Sequence, residues 1–217
     1  MGAGPFTPAS RAPVKGDDAI SIGHEILLNS SLQIDQVTVE PAGHWRIESP
    51  SVQFISVNMY QTVPGDNLLV KGKLSTNQPV QLLGSPTQIL VEGHLANLGQ
   101  IDIDSVRFVG NTTGSTLGVP GGTEGQMKML SLENPNGVTM LGHQQISGIK
   151  FVAGMLNASA TAMPTLTNGT GFVEGASNAA HVNGPCGVRL SSGSGERFFP
   201  IGKNGIYRPV EVNNSNA

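Results

Sequence analysis

The chain has 217 residues, and only 12% of them carry a charged side chain, with a net charge of −3 and an isoelectric point near 5.9. A protein that binds nucleic acid by neutralising phosphates needs a basic face, so this charge balance excludes that class. Hydrophobic residues make up 38% of the chain, which is enough for a core. They occur in short runs that never approach the roughly 18 consecutive apolar residues of a membrane span.

The two ends of the chain have the composition of connecting segments. Residues 1–16 are rich in proline, glycine and alanine and lack the charged and apolar regions of a secretory signal peptide. We therefore predict a flexible leader, or an arm that contacts a neighbouring subunit, over residues 1–18. The last residues, 213–217, have the composition of a linker and are predicted to be a tail.

Between these ends, helix patterns are nearly absent and strand patterns recur throughout. Short runs alternate apolar and polar residues, which is typical of half-buried strands. Clusters of the turn-forming residues Gly, Pro, Asn and Asp separate the runs. The runs lie at residues 31–39, 45–47, 68–70, 89–91, 101–103, 106–108 and 127–129. The chain is thus predicted to be all-β and built from short strands.

A glycine motif recurs through these strands at a nearly constant interval. The pattern Val-x-Gly-x-Leu occurs around Gly72, Gly93 and Gly154 and begins again at Gly175. Gly114 falls one interval of 21 residues after Gly93. A coil of that length, made of short strands and sharp corners, predicts a right-handed parallel β-solenoid with these glycines at corners that need positive φ. A β-sandwich or jelly roll, which requires no repeat, is the alternative.

Aromatic residues are concentrated near the end of the chain, where Phe198, Phe199 and Tyr207 follow an aromatic-poor repeat region. An open end of stacked coils exposes apolar side chains and unpaired backbone, so it needs a cap. We predict a solenoid over residues 19–180 and a C-terminal cap, or a joint to a following domain, over residues 181–212.

Five segments of the C-terminal half share the order and spacing of a known family module. They are 130–141 (LSLENPNGVTML), 149–156 (IKFVAGML), 169–176 (GTGFVEGA), 181–185 (HVNGP) and 199–210 (FPIGKNGIYRPV). This order resembles a β-solenoid module of large secreted surface proteins of the Bacteroidota. The resemblance implies an adhesin-like protein of the cell surface, associated with type IX secretion. Whole family members are also expected to carry an export signal and a sorting domain, and neither is found in this sequence. This departure fits a fragment, and it equally fits a phage-borne or assembly-borne relative.

A second, weaker likeness involves residues 84–90 (GSPTQIL) and 134–138 (NPNGV). Both segments are similar to parts of the haemagglutination domain of two-partner-secretion exoproteins. That likeness implies a β-solenoid and nothing further.

Two groups of residues are candidates for chemistry or binding. Asp102 and Asp104 alternate on one strand, as do the carboxylates that solenoid enzymes use as calcium ligands or as an acid–base pair; a solvated strand face is the alternative. Neither the neighbouring coils nor a basic cluster supplies the lysine or arginine that a lyase would need. His44, Trp45 and Arg46 form a candidate ligand-contact patch, because a tryptophan can stack on a sugar while an arginine donates hydrogen bonds. A core or cap position of Trp45 is the alternative.

The remaining reactive residues predict no site. Cys186 is the single cysteine, which excludes an internal disulfide and a cysteine-based zinc site and indicates a packed or incidental thiol. The five histidines are scattered, and none has a partner at metal-ligand spacing. We therefore predict no catalytic residue, no metal and no cofactor.

Together these patterns predict a non-catalytic structural or adhesive module of an extracellular surface protein. It would be a stiff repeat scaffold that presents a polar face to a glycan or another cell-surface ligand. One alternative is a virion or filament structural protein that self-associates through its N-terminal arm. A second alternative is a β-helical carbohydrate-active enzyme, which would need three or more acidic groups converging around Asp102 and Asp104.

Overall fold

The computed structural model describes residues 19–34, 36–49, 55–59, 68–77, 80–83, 88–167, 172–189 and 195–214. The predicted leader, residues 1–18, and residues 215–217 of the predicted tail lie outside the described residues. The described residues contain strands and no helix. In chain order the strands are β1 (Ala19–Ile22), β2 (Glu25–Leu28), β3 (Leu32–Ile34), β4 (Gln36–Val39), β5 (His44–Ile47), β6 (Ile55–Met59), β7 (Leu68–Val70), β8 (Lys73–Thr76), β9 (Val80–Leu83), β10 (Gln88–Val91), β11 (His94–Asn97), β12 (Gln100–Asp102), β13 (Ser105–Phe108), β14 (Thr116–Leu117), β15 (Gly125–Leu132), β16 (Val138–Met140), β17 (Gln144–Phe151), β18 (Leu156–Asn157), β19 (Pro164–Leu166), β20 (Phe172–Glu174), β21 (Val182–Asn183), β22 (Gly187–Val188), β23 (Gly195–Phe199), β24 (Ile201–Lys203), β25 (Ile206–Tyr207) and β26 (Val210–Asn214).

Parallel strands stack into a β-solenoid of about seven turns, which confirms the predicted fold class over the sandwich alternative. Each turn adds one strand to each of three faces. Face 1 comprises β1, β4, β7, β10, β13, the second halves of β15 and β17, and β20; face 2 comprises β2, β5, β8, β11, β14, β16, β18, β21 and β24; face 3 comprises β3, β6, β9, β12, the first halves of β15 and β17, β19 and β22. Faces 1 and 3 join in β15 and β17, where one eight-residue strand spans both.

The core is a narrow stack of aliphatic side chains from alternate strand positions. On each face, the inward residue of one coil lies on the inward residue of the next, as in the register of Leu68 with Ile89 and of Leu74 with Leu95. Burying each such side chain stabilises the fold by about 1.5–3 kcal/mol relative to exposure. Representative inward residues, all at most 4% exposed, are Val37, Leu68, Ile89, Val106, Leu130 and Ile149 on face 1, Leu74, Leu95, Leu117 and Leu156 on face 2, and Val57, Leu82, Ile101, Met127 and Ile146 on face 3.

The coils average roughly 21 residues, but they are not equal in length. Ile89 pairs with Val106, an offset of 17, whereas Val37 pairs with Leu68, an offset of 31. Extra residues are accommodated at corners, because a strand that gained one residue would turn its apolar side chains outward.

The pairing pattern changes at the C-terminal end. Parallel pairing continues past residue 181, the predicted start of the cap, because β21 pairs with β18 and β22 pairs with β19. Among the described strands, antiparallel pairs join β24 with β25 and β23 with β26. Two isolated antiparallel bridges, Ser159 with Ala162 and Ser177 with Ala180, precede them in the chain. The last face 2 strand, β24, belongs to both patterns, since it also pairs in parallel with β21.

Candidate ligand-binding surfaces

Trp45 is a core residue and not a ligand contact. Alternation along β5 turns Trp45 and Ile47 inward, and Trp45 is 3% exposed. It lies in register between Ile26 and Leu74. The interpretation of Trp45 as a sugar-stacking residue is therefore wrong, because no ring face is available to a ligand. His44 and Arg46, its neighbours in sequence, lie on the outer surface of face 2.

His44 and Arg46 belong to an ionic cluster that joins the first coils. Arg46 Nη1 donates to Glu25 Oε1 at 2.9 Å, and its Nη2 donates to Glu48 at 2.8 Å. His44 Nδ1 lies 3.1 Å from Glu25 Oε2, and its Nε2 lies 2.6 Å from Ser75 Oγ. Hydrogen bonding from Arg46 lowers the pKa of the Glu25 carboxyl, and partial burial lowers the pKa of His44. These side chains already have hydrogen-bond partners within the protein, so the cluster links neighbouring coils to one another.

Asp104 lies beyond the strand that carries Asp102, although the charges of both aspartates raise the pKa of Lys128. Strand β12 ends at Asp102, Ile103 is buried, and Asp104 is exposed at the following bend. Asp102 Oδ1 forms an ion pair of 2.7 Å with Nζ of Lys128, which comes from the next coil. The hydrogen bond to Asp102 raises the pKa of Lys128. The expectation that neighbouring coils supply no basic residue here is thus wrong.

The structure gives no support to a metal or acid–base site at these aspartates. In the part of the chain that the structure describes, no group of three or more His, Cys, Asp or Glu side chains could hold a metal ion. Asp102 contributes the sole described carboxylate to the groove that it lines. The same described residues include no helix long and apolar enough to cross a bilayer.

A stack of outward glutamines on face 3 was not predicted from the sequence. Gln81, Gln100, Gln126 and Gln145 occupy one register position in four successive coils. The amide of Gln81 donates to Gln100 Oε1 at 3.2 Å. The sequence signal was available, because each glutamine precedes a buried apolar residue by one position.

A second column of polar residues runs beside the glutamines, two positions further along each strand. Ser147 Oγ lies 3.2 Å from Thr167 Oγ1, and the Asp102–Lys128 ion pair continues the column. Apart from Gln81, the residues of the two columns line a shallow groove of about 260 Å³. We call this surface the polar strip; its residues are Gln81, Gln100, Gln126 and Gln145 in the first column and Asp102, Lys128, Ser147 and Thr167 in the second.

A buried hydrogen-bond network also escaped the sequence analysis. Asn97 is fully buried at the corner between faces 2 and 3. Its side chain accepts from Thr76 Oγ1 at 2.8 Å and donates to Gln144 Oε1 at 3.0 Å. The backbone N–H of Gly99 donates to Asn97 Oδ1, and Gln144 Nε2 donates to the Asn97 carbonyl at 2.9 Å. Three coils are therefore linked by fully paired polar groups inside the core.

The five repeat glycines all lie at the corner between faces 1 and 2, but for two different reasons. Gly114, Gly154 and Gly175 have φ between 75° and 80°, as predicted for corner glycines. Gly72 and Gly93 are not in that region; a Cβ at Gly93 would lie 2.1 Å from the carbonyl oxygen of Gly72, so the coils stack too closely for a side chain. The interval of 21 residues does not match the strand register here, because Gly93 lies beside Ser115 and not beside Gly114.

Cys186 is half-buried against the core. Burial raises the pKa of its thiol to about 12. The thiol is thus fully protonated at neutral pH and is a poor nucleophile.

A second groove lies at the C-terminal end, between the β24–β25 hairpin and the corner that precedes β22. Its volume is about 630 Å³. Ile201, Val210 and Pro185 contribute apolar surface, and Lys203 and Arg208 contribute the charge. The sequence predicts a cap over most of this region and no binding role. We call this surface the end groove.

Comparison of the chain with protein-family models, with curated proteins and with solved structures finds no match. The resemblance to Bacteroidota surface proteins therefore stays a prediction.

Proposed function

We propose that the chain is a non-catalytic structural and adhesive module of an extracellular surface protein and that it binds neutral glycans through the polar strip. The observation that carries the proposal is the stack of four glutamines in register on face 3. Parallel strands repeat every 4.8 Å or so, so the strip offers amide groups at a regular spacing along the solenoid axis.

The chemistry of the strip suits hydroxyl groups. Each glutamine amide carries donors and an acceptor, and a sugar hydroxyl can use both. Asp102 and Lys128 neutralise each other through their 2.7 Å ion pair. Two further carboxylates lie close to the strip, because Gln145 Nε2 donates to Glu124 Oε2 at 2.7 Å and the charge of Asp104 contributes to the raised pKa of Lys128. The strip therefore carries no excess of positive charge and suits neutral rather than acidic glycans. The groove is shallow, so single contacts would be weak and affinity would come from several of them or from avidity.

The fold supports a scaffold role for the same surface. Each strip residue follows or precedes a core residue such as Ile101, Met127 or Ile146, all at most 4% exposed. Because each of these strands is hydrogen-bonded to a parallel strand on both sides, the outward side chains keep their spacing without a ligand. A preorganised surface loses less conformational entropy when it binds.

A glycan array with the full chain tests this proposal. Wild-type protein is expected to retain neutral oligosaccharides, and the Gln126→Ala, Gln145→Ala double variant is expected to lose them. Gln36→Ala is the matched control, since Gln36 lies on the outer surface of face 1 and outside the strip. The proposal fails if the double variant binds as wild type does, or if no neutral glycan is retained.

One observation favours the filament or virion alternative. In the described residues, β1, β2 and β3 each pair with a strand on one side only, which leaves backbone groups free at the N-terminal end. Ile26 is 37% exposed and Leu27 is 52% exposed at this end. Sedimentation decides the matter: assembly of wild-type chains, lost in Leu27→Lys, would favour the alternative, and a monomer at all concentrations would count against it.

A further inference from the structure

The end groove places two cations on one side of a hairpin. Lys203 pairs with Ile206 across the β24–β25 hairpin, and the Arg208 N–H donates to the Ile201 carbonyl at 2.9 Å. Cross-strand neighbours project to the same side of a sheet, so Lys203 and Arg208 are diagonal neighbours, about 7–8 Å apart at the backbone. Both side chains are exposed, and both line the end groove.

Neither cation is neutralised by a carboxylate of the described residues. On the coils, Arg46, Arg107, Lys128 and Lys150 form ion pairs, whereas Lys71 and Lys73 form none with a described carboxylate. Lys203 and Arg208 differ from these two lysines because both line the same groove.

Glu211 follows Val210 on β26, but only Val210 lines the end groove. After burial, the negative charge of Glu211 is the second cause that raises the pKa of Tyr207. Tyr207 is paired with Gly202 and therefore projects away from Lys203 and Arg208. The positive charge in the end groove thus has no internal counter-ion in the described part of the molecule.

We propose that the end groove binds the carboxylate of an acidic sugar, such as a uronic acid residue of a glycan. Arg208 would hold the carboxylate through two parallel hydrogen bonds, and Lys203 would add a second positive charge. Ile201 and Val210 would contact the C–H groups of the ring, and the Asn204 amide would bind hydroxyls. A volume of about 630 Å³ is within the usual range for small-molecule sites.

This inference rests on the proposed adhesive role, but it concerns a different surface from the polar strip. The ligand also differs, because the strip has a neutralised ion pair and the end groove has free charge. Variants of each surface therefore separate the failure of one proposal from the failure of the other.

Isothermal titration of the full chain with an oligogalacturonate, and with a neutral galactose oligosaccharide as the matched ligand, tests the site. Wild type is expected to bind the oligogalacturonate, and Arg208→Gln and Lys203→Gln are each expected to weaken it about tenfold, since a charge-assisted hydrogen bond is lost. Arg189→Gln is the control, because Arg189 is exposed at the same end but does not line the groove. Unchanged thermal unfolding midpoints would show that the variants are folded.

Three results would overturn the inference. The first is equal binding of the neutral sugar, and the second is binding of a polyglutamate peptide in place of the acidic sugar. The third is loss of oligogalacturonate binding in the Gln126→Ala, Gln145→Ala variant with full binding in Arg208→Gln, which would assign the acidic sugar to the polar strip. Binding that depends on Arg208 and survives in the glutamine double variant supports the end groove, even where the strip itself binds nothing.

Discussion

The central coils (residues 68–157) and the C-terminal end (residues 172–214) are built from the same strand pattern but differ in how well their polar groups are paired. In the central coils, the buried Asn97 side chain has protein partners for its donors and its acceptor. At the C-terminal end, the His181 Nε2 and Arg197 Nε atoms are buried without a hydrogen-bond partner. Exposed apolar side chains, including Ile206 and Val212, also lie there.

The difference follows from the number of neighbours that a coil has. A central coil has a coil above and below, so backbone groups and core side chains are satisfied on both sides. The last coil has one such neighbour, and hairpins cover only part of its other side. We infer that the central coils provide most of the stability, whereas the end is free to carry charge and apolar surface for recognition.

The largest expected loss of stability comes from removing a large side chain from the core of the central coils. Phe108 is fully buried on β13, and Phe108→Ala should lower the free energy of unfolding by about 3–5 kcal/mol. Phe172→Ala is the matched change at the C-terminal end, where the ring is 52% exposed, and it should cost about 1 kcal/mol or less. Urea denaturation followed by circular dichroism measures both. Equal losses would show that the two regions do not differ in this way.

A smaller effect is expected from the buried polar network. Asn97→Ala removes the partners of Thr76 Oγ1, Gly99 N–H and Gln144, and it should lower the free energy of unfolding by about 2–3 kcal/mol. Asn183 at the C-terminal end is half-buried and donates to Asn157 Oδ1 at 3.0 Å, so Asn183→Ala should cost about 1 kcal/mol. The same urea titrations test this pair. A larger loss in the Asn183 variant would reverse the comparison.

Removal of an ion pair should produce the smallest difference in free energy of unfolding between the two regions. Arg107 Nε and Nη2 each donate to Glu133 at 2.7 Å, and this bonding lowers the pKa of Glu133. A lowered pKa in the folded state adds stability above the unfolded value, near pH 4.3, and this stability is lost as pH falls through the folded value. Because both side chains are partly exposed to solvent, Glu133→Gln should cost only about 0.5–1 kcal/mol at pH 7 and nothing at low pH.

The comparison pair is Lys150 with Glu174, which joins the central coils to the C-terminal end. Its single contact of 3.1 Å joins side chains that are nearly half exposed, so Glu174→Gln should leave the unfolding midpoint almost unchanged. Thermal unfolding from pH 3 to 7 measures both variants. A flat difference between Glu133→Gln and wild type across that range would contradict the assignment of the lowered pKa.

The sequence predicted what depends on neighbours within one strand. Alternation predicted the strands, and the recurring glycine motif predicted the solenoid. The residues around Gly72 and Gly93 marked two of the corners. Alternation in β5 could also have placed Trp45 beside Ile47 in the core, as the structure does. The core position that the sequence offered as the alternative for Trp45 is the one that this periodicity favours and the structure shows.

What could not be predicted depends on register between coils of unequal length. Asp102 and Lys128 are 26 residues apart, and Asn97 and Gln144 are 47 apart, so no local pattern shows their contact. An even interval of 21 residues also misaligned Gly114, because the corner after β13 is longer than the corner after β10. Coil-to-coil register must be known before polar partners can be assigned.

The last prediction concerns reactivity and not stability, and it tests whether exposure at the C-terminal end extends to its one thiol. Cys186 packs against the core, and burial raises its pKa to about 12. An ordinary thiol has a pKa near 8.5 and forms appreciable thiolate at pH 8, so Cys186 in the folded chain should react with iodoacetamide far more slowly than in urea. Mass spectrometry of timed reactions gives both rates. Its labelling should still be rising with pH above 9, where an ordinary thiol levels off, and equally fast labelling of folded and unfolded chain at pH 8 would show that the C-terminal end opens to solvent at this position.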